Sequence, residues 1–185
     1  MSISVIDPNT ALVVIDLQQG IVATPSVHPA AEIIARAGAL ADAFRRRGLP
    51  VVLVNVAGGA PGRAEQRRSM DRLPGGWTEL VPELRQQPTD ILVTKRSWGA
   101  FTDTGLEQTL KKLGVTQIVL AGIATSIGVE STARQAHELG FNVSLALDAM
   151  TDRDPDAHEN SIKRIFPRLG ETGSAQEIIA LLDQP

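Results

Sequence analysis

Cysteine is absent from this chain of 185 residues, which excludes disulfides, thiolate metal sites and a cysteine nucleophile and leaves the redox compartment open. Aromatic residues make up 3% of the sequence, with two Trp and four Phe, so each aromatic near a candidate site has to be weighed individually. No apolar run reaches the roughly 20 residues that span a bilayer. The opening Met1-Ser2-Ile3-Ser4-Val5 lacks the basic and apolar regions of a secretory signal, and a cytoplasmic protein is expected. An excess of charge of either sign is lacking, since 18 Lys and Arg against 21 Asp and Glu give a mild formal net charge of -3. The one basic cluster, Arg45-Arg46-Arg47, falls at an expected helix end, where it opposes the helix dipole. Neither a nucleic-acid groove nor a membrane partner is implied.

What is present is enough apolar residue, 43%, to bury a full core in one domain over 1–185. Nearly continuous Val/Ile/Leu runs at 12–16, 51–56, 90–94, 117–121 and 142–146 read as strands covered on both faces. Apolar residues recur at three and four over 30–47, 105–113 and 129–139, which predicts helices, and Gly48, Gly114 and Gly140 stand where their C-caps belong. A further helix is expected over 155–165, with Asp154 as N-cap and Pro155 in the first turn. A last one is expected over 174–182, opened by a Ser174/Glu177 capping box. The alternation predicts a three-layer α/β/α, Rossmann-like open sheet, mostly parallel, of about six strands flanked by helices. Residues 57–74, rich in Gly, Pro and Arg, read as a long surface loop with a short helix around 64–70.

Three residues of chemical interest follow apolar runs: Asp16 ends the first, Lys95 follows the third and Gly128 lies beyond the fourth. In a parallel α/β sheet such positions converge in the crevice at the carboxyl ends of the strands. A buried carboxylate there can act as general acid or base if desolvation raises its pKa, while a nearby lysine pulls the other way. A structural salt bridge fits the spacing equally well. The stretch from Ala121 to Arg134 reads as a strand, a small-residue turn and a helix start, a natural anion or oxyanion site, although on local pattern alone an ordinary tight turn is favoured. It carries neither the phosphate-loop pattern nor the three-glycine dinucleotide fingerprint.

Asp16 in Val14-Ile15-Asp16-Leu17-Gln18, Lys95 after Leu92-Val93-Thr94, and Gly122-Ile123-Ala124-Thr125 through Ala133-Arg134 together resemble the isochorismatase-like hydrolase superfamily over nearly the whole chain. In the cysteine hydrolase branch of that superfamily, which includes nicotinamidases and N-carbamoylsarcosine amidases, an Asp, a Lys and a Cys form the catalytic triad. Asp16 and Lys95 match the first two, and the cysteine position falls on Gly128. Isochorismatases commonly have glycine there and hydrolyse a vinyl ether without a covalent intermediate. The resemblance therefore implies Asp16, Lys95 and Gly128 as the catalytic set, with Asp16 protonating the alkene carbon and Lys95 orienting the acid or binding a substrate anion. It also implies a non-proline cis peptide at Ile123-Ala124 and a homo-oligomer, dimeric or tetrameric. Nicotinamidase-like members bind a metal through an Asp and two His after the second strand, but Asn55-Val56-Ala57-Gly58-Gly59-Ala60 offers no such ligands, and His28, His137 and His158 are scattered. No cofactor is implied.

Candidate substrate-binding residues are Gln18, Trp98, Phe101, Ile123, Ala124, Thr125 and Ile127. Gln18 and Gln19 are placed to hold Asp16, while core packing or a subunit contact is the competing role for Phe101. Trp77 is a candidate pocket cover or subunit contact, Arg96 a candidate carboxylate anchor, and Arg134 a solvent or interface residue. The hydroxyls of Ser126, Ser131 and Thr132 have no evident base and fit turn and cap roles. The favoured function is hydrolysis of a small molecule. The alternative is a catalytically silent member that binds a small molecule or serves as a scaffold, and a nucleotide-binding oxidoreductase is the weaker third.

Overall fold

The computed structural model describes residues 3–66, 70 and 72–184. Its elements run β1 (Thr10–Ile15), α1 (Gln19–Val22), α2 (Ala30–Arg46), β2 (Val51–Val56), β3 (Ile91–Lys95), α3 (Leu106–Lys112), β4 (Gln117–Ile123), α4 (Glu130–Glu138), β5 (Asn142–Thr151), α5 (Pro155–Asn160), α6 (Phe166–Leu169), β6 (Glu171–Gly173) and α7 (Ala175–Leu182). The six strands form one sheet in the order β3-β2-β1-β4-β5-β6, and every pair is parallel. The expected three-layer α/β/α architecture is present.

Both faces of the sheet are covered, which is why its strands read as unbroken apolar runs. Leu12, Val14, Leu53, Val119 and Ala121 pack beneath α2 and α7, where Leu40, Phe44, Ile178 and Leu182 are buried. Val13, Ile15, Val54, Leu120 and Leu145 face α3, α4 and α6 through Leu106, Leu110, Ala133 and Phe166. Because β1 lies between β2 and β4, connections leave it toward both halves of the sheet, and the crevice at its carboxyl end is the topological switch point.

Several local signals act as expected. Asp154 caps α5 by accepting from the N–H groups of Asp156 and Ala157, Ser174 and Glu177 form the capping box of α7, and Gly48, Gly114 and Gly140 take left-handed φ values after their helices. The Ile123-Ala124 peptide is cis. Other boundaries differ. β5 continues to Thr151, five residues beyond the expected 146, through an irregularity in its pairing with β4. The expected helix 155–165 is α-helical only to Asn160. A π-helical turn over Ser161–Ile165 follows, then α6. Pro167 has no N–H to return to residue 163, so the chain widens there before the α-helix resumes. Arg45 does more than oppose a dipole: it pairs with the buried Asp90 at 2.7 Å and with Asp42 at 3.2 Å. Of the short helix expected around 64–70, residues 67–69 lie outside the described residues, and the described 64–66 and 70 are not helical, with 65 and 66 forming a turn.

Gly122 joins fold to site. Its φ is +121°, and a Cβ built on it would lie 2.0 Å from the Ile15 carbonyl oxygen, inside the ladder that pairs Ile15 with Gly122. Gly122→Ala is therefore expected to cost roughly 3 kcal/mol or more, read as a lowered urea midpoint in chemical denaturation.

Candidate functional site

β1 ends at Ile15, and Asp16 follows with φ 50°, a left-handed conformation that aspartate tolerates better than most residues. Its N–H still bonds the Val54 carbonyl at 2.9 Å, so the turn away from the sheet begins with the backbone anchored. Lys95 is the last residue of β3. Its Nζ lies 2.8 Å from Asp16 Oδ2 and donates also to the carbonyls of Trp98 at 2.9 Å and Ser97 at 3.2 Å. An ammonium has three N–H groups, and these three acceptors account for all of them. Lys95 is thereby committed to holding Asp16 and the loop after β3.

The pair is deeply buried, with side chains 7% exposed for Asp16 and 2% for Lys95. Burial pushes the Asp16 carboxyl from 3.8 to about 6, against the opposing pull of the Lys95 charge and hydrogen bond. The second carboxyl oxygen, Oδ1, is buried with no hydrogen-bond partner among the described residues, an uncommon state for a carboxyl oxygen inside a protein.

Opposite the carboxyl stands the turn after β4. From Thr125 to Val129 the chain makes a π-helical turn that runs into α4. Gly128 is buried there, and a Cβ on it would lie 3.3 Å from Asp16 Oδ2 and 2.8 Å from Ile15 Cγ2. Asp16, Lys95 and Gly128 thus meet, although 112 positions separate the first from the last. Thr132 Oγ1 donates to the Gly128 carbonyl at 2.6 Å and accepts from the Ala100 N–H at 3.1 Å, binding this turn to the loop that holds Lys95.

The remaining candidates are placed as follows. Gln18 is fully buried, and its amide is used by backbone: Oε1 accepts from Val56 N–H, while Nε2 donates to the carbonyls of Val56 and Trp77. It braces β2 and does not touch the Asp16 carboxyl. Gln19 N–H donates to the Glu79 carbonyl. Trp98 is 62% exposed and Ile127 40%, two apolar groups beside the residues that form the site. Phe101 stacks on Phe141 at 5.9 Å and packs against the core. Ile123 is buried, Ala124 half-buried and Thr125 fully buried. The Trp77 ring lies over Gly20, where a Cβ would be only 2.0 Å from the ring. Arg96 is exposed and donates to the Ala57 carbonyl, and Arg134 pairs with Glu130 at the surface.

Two buried polar residues escaped sequence inspection. Asp152 follows the end of β5, and its Oδ2 accepts from the Ser126 N–H at 2.7 Å. His158, on α5, has its Nδ1 2.9 Å from Thr125 Oγ1. Asp152 is, like Asp16, an acid just past a strand. It would have stood out had the strand been read as far as Thr151. His158 carries no comparable local signal, because its partner lies 33 positions away.

A family model for the isochorismatase domain matches residues 10–177. The isochorismatase family protein YecD of Escherichia coli O157:H7 is 44% identical over 180 residues, covering 94% of this chain and 96% of that protein. Nicotinamidase 3 of Arabidopsis thaliana is 30% identical over 171 residues, covering 86% and 83%. The solved structure of an isochorismatase family protein from Burkholderia thailandensis superposes with a TM-score of 0.94 at 42% identity, covering 99% of this chain and all of that one. The chain belongs to the isochorismatase family, whose members are hydrolases of small molecules.

The raised Asp16 pKa has a consequence for folding. The folded protein holds this proton more tightly than the unfolded chain does, so the associated stability is fully present below about pH 4 and lost as pH rises through about 6. Asp16→Asn is expected to flatten that part of the pH–stability curve, a difference of about 2 kcal/mol between pH 4 and 7, read by urea denaturation at each pH.

Proposed function

We propose that the protein hydrolyses a small vinyl ether, with Asp16 as general acid and no covalent enzyme intermediate. The observation that carries this reading is the Asp16 carboxyl itself: Oδ2 is held by Lys95 at 2.8 Å, Oδ1 has no partner among the described residues, and burial raises the pKa to about 6. A group of that pKa is half protonated at about pH 6 and still carries its proton roughly a tenth of the time at pH 7, so it can act as an acid below neutrality. Gly128, beside the carboxyl, offers no nucleophile, and the turn packs so closely there that even a Cβ would lie 2.8 Å from Ile15 Cγ2 and 3.3 Å from Asp16 Oδ2.

In the proposed reaction Asp16 delivers its proton to the terminal alkene carbon. The electron pair of the C=C bond forms the new C–H bond, and the ether oxygen supports the resulting oxocarbenium ion. Water adds to the oxocarbenium carbon, the one bonded to the ether oxygen, losing a proton to the Asp16 carboxylate, and the hemiketal collapses to a carbonyl compound and an alcohol. Lys95 supports the carboxylate that appears after the first transfer, since an ammonium 2.8 Å away stabilises the charged form. Its three donors are committed to Asp16, Ser97 and Trp98, so orienting the acid is the role favoured over binding a substrate anion. Trp98 and Ile127 supply apolar surface for the substrate body. Ile123, Ala124, Thr125 and, less directly, Phe101 shape the wall, while Gln18 contributes through the backbone it braces. A homo-oligomer working in the cytoplasm, with the whole chain as one functional unit, is part of the same proposal.

Isochorismate is the first substrate to assay, with a panel of small amides as contrast. Pyruvate release is expected for isochorismate only, and Asp16→Asn should lower its rate by roughly 100-fold or more. The wild-type rate should fall as pH rises through about 6, because the active form is the protonated one. Turnover of the amides with Asp16-dependent kinetics would overturn the proposal.

A further inference from the structure

Five residues, Thr125–Val129, form the turn that faces Asp16, in a π-helical conformation with a glycine at Gly128. A π turn is a weak local preference, and a glycine adds no side chain to fix it. The turn nevertheless has to hold its place, because the Gly128 Cβ position is 3.3 Å from Asp16 Oδ2 and any opening there admits water to the carboxyl. Its position must be imposed from outside.

The outer side of the turn is held by the connection between β5 and α5. Asp152 grips the backbone through the Ser126 N–H at 2.7 Å. His158 grips the side chain of Thr125, Nδ1 to Oγ1 at 2.9 Å, where the imidazole is 3% exposed and Thr125 is fully buried. This connection is itself tied down, since Val27 N–H donates to the Asp152 carbonyl at 2.7 Å and His28 N–H to Thr151 Oγ1 at 3.0 Å. The His28 ring, 5.0 Å from that of His158, closes the far side.

We propose that His158 is a positioning residue for the Asp16 site, acting through the Thr125 hydroxyl to fix the 125–129 turn against the carboxyl. The inference builds on the reading of Asp16 as a general acid shielded from water by burial. Neutral imidazole suits the task, because it can accept from or donate to a hydroxyl. Burial, and then the neighbouring His28, push the His158 pKa down, while Asp152 and Glu159 pull it up. With the turn in place Asp16 stays dry. Once the His158–Thr125 bond is lost, the turn relaxes and the carboxyl is hydrated.

The test is the titration of the Asp16 carboxyl carbon in 13C-labelled protein without any substrate, with the resonance assigned by Asp16→Asn. Thr125→Val, nearly isosteric and expected to fold, and His158→Phe should each lower the Asp16 midpoint from about 6 by about one pH unit or more. His158→Asn, which keeps a polar atom where Nδ1 stands, should retain the wild-type midpoint. Ser174→Ala, which destabilises the distant α7 cap, should leave it unchanged. Unchanged midpoints in Thr125→Val and His158→Phe would overturn the proposal, as would an equal fall in His158→Asn or Ser174→Ala. Because no turnover is measured, this outcome is separate from whether the protein hydrolyses a vinyl ether.

Discussion

A deeply buried carboxyl and ammonium meet where β1 and β3 end, and that arrangement constrains much of what surrounds it. Removing either charge from solvent is costly, and mutual attraction offsets the cost only with good geometry and further hydrogen bonds. Lys95 meets that condition with three acceptors. Asp16 meets it only in part, since one oxygen has no partner among the described residues. Burial outweighs the lysine in setting the carboxyl's pKa. A fully satisfied ion pair would be a structural brace, whereas a half-satisfied one is a group poised to give up a proton.

The sheet supplies what the pair requires. β1 lies at the switch point, so its end opens into the crevice, and β3 brings Lys95 in from two strands away. Two glycines make the close approaches possible. Gly122 lets β4 pass against the Ile15 carbonyl, and Gly128 lets the following turn come within van der Waals reach of Asp16. The loops then secure one another: Thr132 joins the turn to the Lys95 loop, while Asp152 and His158 join it to the end of β5.

The fold was largely legible in the sequence because both faces of the sheet are covered, so that strands such as β1 and β4 appear as continuous aliphatic runs between glycine-capped helices. The same logic placed Asp16, Lys95 and Gly128 at strand ends, although only the three-dimensional arrangement brings them into contact. What escaped notice depended on tertiary context. β5 was cut short because Asp148 interrupts its apolar pattern, and with it went the signal for Asp152. Pro167 breaks the expected helix into two α segments and a π turn by a missing N–H that a periodicity reading does not count. Gln18 looked like a partner for the neighbouring carboxyl, yet its amide turns to the backbone of β2. Local adjacency to a site says little about which way a side chain turns.

The chain belongs to the isochorismatase family of hydrolases, and Gly128 stands beside the Asp16 carboxyl. The central claim is that Asp16 holds a proton close to neutral pH, and its direct measurement is a pH titration of the Asp16 carboxyl by 13C NMR or difference infrared spectroscopy in the unmodified protein. A midpoint near 6 is the predicted result, and a midpoint at or below the ordinary aspartate value of about 4 would contradict the account.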